Sequence, residues 1–286
     1  MHPEVNHPDI IDIIILTDFS GKTLLMISCN QLQPRNHSRP YVWLGVFAHP
    51  DDETSASAGT MIRWINQGNK AYVITGTGGE LGSLESNNLV ISRDELPAIR
   101  ESELHRNLNM FGCHPPFMLR YKDQELINEN KVILSDKILS LMQYVDPDIV
   151  VTFGPNGISG HSDHIAIHKA TLHAFTEYSK RSREPNGLAL LYPSIRPELA
   201  NLYSLELGPE EKRIDIIIDI GPTIDKKIAA LRNYESQQDA QEIADQLSTL
   251  MTNKNGRGKQ EETFSVSEYT DDKWKNMPVI QYLKNL

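Results

Sequence analysis

From Val42 to Ala48 the chain is apolar at every position but Gly45. It then turns abruptly polar at His49-Pro50-Asp51-Asp52-Glu53. A run this short, closed by a proline, predicts a buried strand rather than a helix. Thr54 to Gln67 carries apolar positions at helical spacing (Met61, Ile62, Ile65) and stops at Gly68. Lys70 to Thr75 predicts a second strand, and Leu96 to Phe111 a helix with Pro97 near its start and Gly112 at its end. Phe117–Tyr121 and Asp148–Phe153 predict two more strands around an amphipathic helix at Lys131–Tyr144, and a further helix covers Ile165 to Tyr178. Strands and helices alternating at this spacing predict an α/β, Rossmann-like fold. Its sheet is mostly parallel, with right-handed crossovers and helices on both faces.

The two ends read differently. Ile10–Leu16 and Thr23–Ser28 are apolar runs around a Gly-containing turn at Thr17–Lys22, the pattern of a β-hairpin. With the polar connection Gln33–Pro40 it forms an N-terminal extension over 1–40, suited to covering a sheet edge or to contact within a homo-oligomer. The remainder, 41–286, reads as one domain. After a break at 182–187, Leu188–Tyr192, Leu202–Leu207 and Arg213–Ile220 are strand candidates, and Thr223–Tyr234 and Ser236–Met251 are helices. Asn253–Glu262 is polar, and Thr263–Tyr269 alternates like a last strand, giving a C-terminal α+β portion.

Composition narrows the partners. With 286 residues the chain can bury a sizeable core. A formal net charge of −10 argues against nucleic acid as the main partner. Cys29 and Cys113 are far apart and form no C-x-x-C, so neither a disulfide framework nor a thiolate zinc site is expected. No apolar run reaches the roughly 18 residues that span a bilayer. The N-terminus lacks the basic region of a signal peptide, so a cytoplasmic location is the expectation.

Two stretches carry the chemistry. One is His49 to Glu53. The other, Gly154-Pro-Asn-Gly-Ile-Ser-Gly-His161-Ser-Asp163-His164, follows the fourth strand. Both lie at carboxyl ends of strands of one sheet, where ligands of open α/β folds bind. Two histidines and a carboxylate are a recurrent catalytic zinc set with a position left for water. A spare carboxylate could deprotonate that water, and a spare histidine could protonate a leaving group. The glycine-rich Gly76–Ser83 fits neither dinucleotide nor P-loop signatures.

Ala48-His-Pro-Asp-Asp-Glu53 with Gly160-His-Ser-Asp-His164 downstream resembles the A-H-P-D-D-E and G-H-x-D-H motifs of the PIG-L/LmbE family of metal-dependent N-acetylglucosaminyl deacetylases. Thr77–Gly82, Arg100 with Glu103-Leu104, and Lys227–Leu231 with Tyr234 and Ser236-Gln237 are similar to three further family segments, so the likeness covers about 42–240. It implies a Rossmann-like hydrolase acting on the acetamide of an N-acetylated amino sugar. His49, Asp52 and His164 would hold the metal, usually zinc, with Fe2+ as the other candidate. Asp51 would be the general base. His161 would be the general acid or oxyanion stabiliser, with Asp163 orienting it and raising its pKa. Arg100 and Asp123 would bind substrate.

Two positions depart from the family. Ser159 stands where one branch has an oxyanion-assisting tyrosine, and Tyr234 stands where the family has a histidine. Other residues carry plainer readings: His168 as a helix residue rather than a ligand, Glu80 as a loop carboxylate, and Glu53 as a first-turn helix acid. Competing functions are hydrolysis of another amide such as a thiol-sugar conjugate, non-catalytic sugar binding, and a phosphorelay receiver. A receiver leaves His161 and His164 unexplained, and a binding module predicts loss of Asp51 or a ligand, neither of which is lost.

Overall fold

The computed structural model describes residues 12–17, 23–28, 39–86, 89–181, 187–202, 205–252 and 260–286. Most of the expected turn at 17–22, of the connection at 33–40, and of the 182–187 and 253–262 stretches lies outside the described residues.

Strands β1 (Asp12–Thr17) and β2 (Thr23–Ser28) pair antiparallel. Then β3 (Val42–Phe47), buried at all six positions, leads into α1 (Asp52–Asn66). The chain continues through β4 (Lys70–Thr77), α2 (Leu96–Phe111), β5 (Phe117–Tyr121), α3 (Lys131–Val145), β6 (Ile149–Val151) and α4 (Ser162–Arg181). It closes with β7 (Ala189–Ser194), β8 (Ile216–Asp219), α5 (Ile224–Asn233), α6 (Gln238–Thr252), β9 (Glu261–Val266) and α7 (Pro278–Lys284).

One seven-stranded sheet has the order β8-β9-β7-β6-β3-β4-β5. The strands from β7 to β5 run parallel, while β9 is antiparallel to both its neighbours. From β3 the chain steps outward to β4 and β5, then returns across β3 to β6 and β7. Right-handed crossovers in opposite directions put their helices on opposite faces. Accordingly α1, α2 and α5 pack together, and α3 packs on α4. The reversal between β3 and β6 is a topological switch point, which opens a crevice beyond the strands' carboxyl ends. Both histidine stretches empty into it. Beneath, Trp43 meets Trp64 and Phe264 in a buried aromatic cluster.

Three elements differ from expectation. The strand expected over Leu202–Leu207 is absent among the described residues: Pro197–Leu202 is helical, and residues 205–208 are irregular. Proline favours a helix start, and both edges of β7 are already taken by β6 and β9. The last strand ends at Val266 rather than Tyr269. Helix α7, unforeseen, starts on Pro278 and buries Val279, Ile280 and Leu283.

Candidate metal centre and active site

The turn from β3 into α1 is built around Asp52. Its Oδ2 accepts the N–H groups of His49 (2.7 Å) and Ala48 (3.2 Å), folding the loop back on the strand end. This tight turn sets Asp51 at φ 102°, a left-handed conformation that aspartate tolerates better than most residues. On the other stretch, the His164 ring lies flat on Phe153, with centroids 3.9 Å apart and 8° between planes. Its Nδ1 is 3.0 Å from Gly157 O.

These contacts fix the tautomers. A carbonyl only accepts, so Nδ1 of His164 carries the proton and Nε2 presents a lone pair. His49 Nε2 lies 3.1 Å from Asp123 Oδ1 and 3.4 Å from Asp163 Oδ2, so it too must be the protonated nitrogen. The two remaining lone-pair nitrogens, His49 Nδ1 and His164 Nε2, are 3.3 Å apart. Asp52 closes the triangle, with Oδ2 3.5 Å from the first and Oδ1 3.4 Å from the second. Three acceptors converging at this spacing require a cation between them, a proton or a metal ion. Tetrahedral zinc with bonds of about 2.1 Å sets its ligand atoms about 3.4 Å apart. The residues therefore fit a metal, and their outer nitrogens have the carboxylate and carbonyl partners typical of metal-bound histidine.

Charge follows the same geometry. Burial disfavours charged His49, but Asp123, Asp163 and Asp52 outweigh it and hold the imidazole well above its ordinary pKa. Burial also raises the Asp52 carboxyl, but His164 and His49 pull it well below the usual range. Asp51 goes the other way: burial pushes it well up, against the pull of Arg100.

His161 sits beside the cluster, its ring centroid 4.8 Å from that of His49 and 4.9 Å from that of His164. A nitrogen of each of these three histidines lies within 4.8 Å of the others. The carboxylate expected to orient His161 is turned away. Asp163 accepts from the N–H groups of Gln124 (2.6 Å) and Leu126 (3.2 Å) and faces His49. Only the backbone N–H of Asp163 reaches His161 Nδ1, at 3.2 Å. The pKa of His161 is lowered rather than raised, because burial and the neighbouring His49 and His164 outweigh the acids.

Arg100 and Asp123, expected at the substrate, are engaged internally. Arg100 donates to Asp51 Oδ2 (2.7 Å), Pro50 O and Gly79 O and is 4 % exposed. Asp123 Oδ2 accepts from Leu81 N–H, and Glu80 Oε1 accepts from Asp123 N–H. His168 donates to Phe153 O and stays out of the cluster. Ser159 is exposed, one residue after Ile158 at φ 63°.

Glu53 lies in the first turn of α1, as the sequence predicts, but its burial and its partners were not foreseen. It is fully buried: Oε2 accepts the Asp51 N–H (3.1 Å), and Oε1 accepts the Tyr234 hydroxyl (2.7 Å). The small residues that follow it, Ser55-Ala56-Ser57-Ala58-Gly59, were the available sign that this helix turn is inside the protein.

Known proteins resemble this chain in sequence and in fold. The PIG-L family model, GlcNAc-PI de-N-acetylase, matches residues 44–175 and so includes both histidine stretches. A probable N-acetyl-alpha-D-glucosaminyl L-malate deacetylase 2 of Bacillus cereus is 31 % identical over 198 residues, covering 69 % of this chain and 84 % of the relative. Among solved structures, the fold matches 4-carboxy-2-hydroxymuconate hydratase of Pseudomonas putida with a TM-score of 0.60, at 17 % identity over 79 % of this chain and 95 % of the other. It also matches N,N'-diacetylchitobiose deacetylase of Pyrococcus horikoshii with a TM-score of 0.55, at 21 % identity over 84 % and 88 %. A fold shared by a hydratase and a deacetylase does not choose between them. The sequence relation does: this chain belongs to the PIG-L family of N-deacetylases.

Proposed function

We propose that the protein is a metal-dependent hydrolase removing the acetyl group of an N-acetylglucosaminyl compound to give acetate and a free amine. The observation that carries this reading is the triangle of His49 Nδ1, His164 Nε2 and Asp52 at metal-ligand spacing. In this reading those three residues hold zinc, or ferrous iron. When bound, the metal supplies a water of lowered pKa and a Lewis acid for the amide carbonyl.

Asp51 takes the proton of the attacking water and returns it to the departing nitrogen. A carboxyl raised by burial suits both halves of that transfer. His161 accepts a backbone N–H at Nδ1, so its neutral ring carries the proton on Nε2. Protonating Nδ1 would set two N–H groups against each other. His161 therefore acts as a neutral donor to the developing oxyanion rather than as the acid, and exposed Ser159 leaves it to act alone. Asp163 and Asp123 orient His49, and Arg100 positions Asp51. Residues 41–286 form the catalytic unit, and 1–40 an extension to it.

The relatives point to small N-acetylated amino sugars differing in what the sugar carries. The test is a panel of glucosaminyl conjugates (malate, inositol, chitobiose) with acetate and primary amine measured together. One acetate per amine from at least one conjugate is expected. Consumption of a conjugate with its acetamide intact contradicts the reading.

A further inference from the structure

The loop Gly154–Gly160 delivers His161 and His164 to the site and is under strain. Ile158 is β-branched yet sits at φ 63°, between Gly157 at φ 66° and Gly160 at φ 75°. A β-branched residue in the left-handed region persists only where its surroundings hold it there. Part of that hold comes from a residue outside both motifs.

Glu211 lies on a short helical turn, Pro209–Lys212, and is fully buried. The turn is tied to the end of β7, where Ile195 N–H donates to Glu211 O (2.8 Å). The Glu211 side chain reaches the loop that follows β6, and its Oε1 accepts the Asn156 N–H at 2.8 Å. Two glycines make room for it: a Cβ at Gly154 would overlap Oε1, and one at Gly208 would come within 2.5 Å of Oε2. Oε2 is buried with no hydrogen-bond partner among the described residues. Burying a carboxyl group with one oxygen unpaired is costly.

From Asn156 the connection to the site is short. Gly157 N–H donates to Gly154 O, Gly160 N–H donates to Asn156 O, and Gly157 O is the acceptor that fixes the His164 tautomer. We infer that Glu211 is a positioning residue for the metal centre, clamping the 154–160 loop so that Gly157 O holds His164 with Nε2 toward the ion. The inference rests on the reading of His164 as a metal ligand.

The test compares wild type, Glu211→Ala and Glu211→Gln for zinc affinity by competition with a chromogenic chelator. The visible spectrum of the cobalt-loaded protein and the thermal melt are recorded beside it. Loss of an outer partner of a ligand costs about 10–100-fold in metal affinity, and that rise in Kd, with an altered cobalt spectrum, is expected for Glu211→Ala. Glu211→Gln keeps an acceptor for Asn156 N–H and is expected to stay near wild type. A role confined to stability would lower the melt and leave Kd and spectrum unchanged in the folded protein, which would overturn the inference. Should Glu211→Ala fail to fold, Gly154→Ala pushes a methyl group onto the carboxyl group without removing it. Weakened zinc binding is expected there, and wild-type affinity overturns the inference. A wild type that takes up no metal overturns the deacetylase reading itself, a result distinct from variants that bind as well as wild type.

Discussion

The residue that organises the site is Asp51, and its position has a cost. Held at φ 102°, it is clamped from two sides: Arg100 grips its carboxyl group and the preceding carbonyl, and Glu53 takes its N–H. Arg100→Met leaves the Asp51 carboxyl buried without its partner, a loss on the order of 3–5 kcal/mol. Steady-state kinetics are expected to show kcat falling with KM little changed, whereas a substrate contact would raise KM. Tyr234→Phe removes one donor from buried Glu53, on the order of 1–3 kcal/mol. A lower melting temperature is expected, with a lower kcat and unchanged metal content. Wild-type kcat in this variant would separate Tyr234 from the geometry of Asp51. The motif made His49, Asp51, Asp52, His161 and His164 legible in the sequence. It could not reveal which partner each nitrogen and oxygen takes. Asp163 turns toward His49 and accepts the Gln124 and Leu126 N–H groups, partners 39 and 37 positions away that no spacing in the motif signals.

At the scale of elements, the inner strands were legible because each is a short apolar run ended by a glycine, a proline or a polar cluster. The misreadings lie where tertiary contacts overrule the local pattern, as at Leu202–Leu207. Helix α1 shows the same limit. Its middle is gripped by a buried ion pair, with Glu262 accepting from Gly59 and Thr60 N–H and Lys227 bridging Glu262 to Ser55 O. Lys227 on α5 and Glu262 on β9 are 35 positions apart, so no spacing rule joins them. Lys227→Met leaves the Glu262 charge buried without its cation, and denaturant unfolding is expected to show a loss of about 3–5 kcal/mol. Lys227→Met with Glu262→Leu is expected to recover part of it. An unchanged midpoint in the single variant would mean that the pair contributes nothing to holding α1.

For the whole molecule, the order of strands matters more than any one of them. Because the chain reverses between β3 and β6, segments more than a hundred residues apart in sequence meet at one crevice. No helix among the described residues is long and apolar enough to cross a membrane. The central claim is that this crevice holds a catalytic metal with Asp51 as its base. The most direct measurement is elemental analysis beside acetate release for wild type, chelator-treated protein and Asp51→Asn. About one zinc or iron per chain is expected, with acetate release lost on chelation and restored by metal. In Asp51→Asn, acetate release should fall by at least about 100-fold, the scale of a lost general base, with the metal still bound. Full activity in metal-free protein, or in Asp51→Asn, would contradict the account.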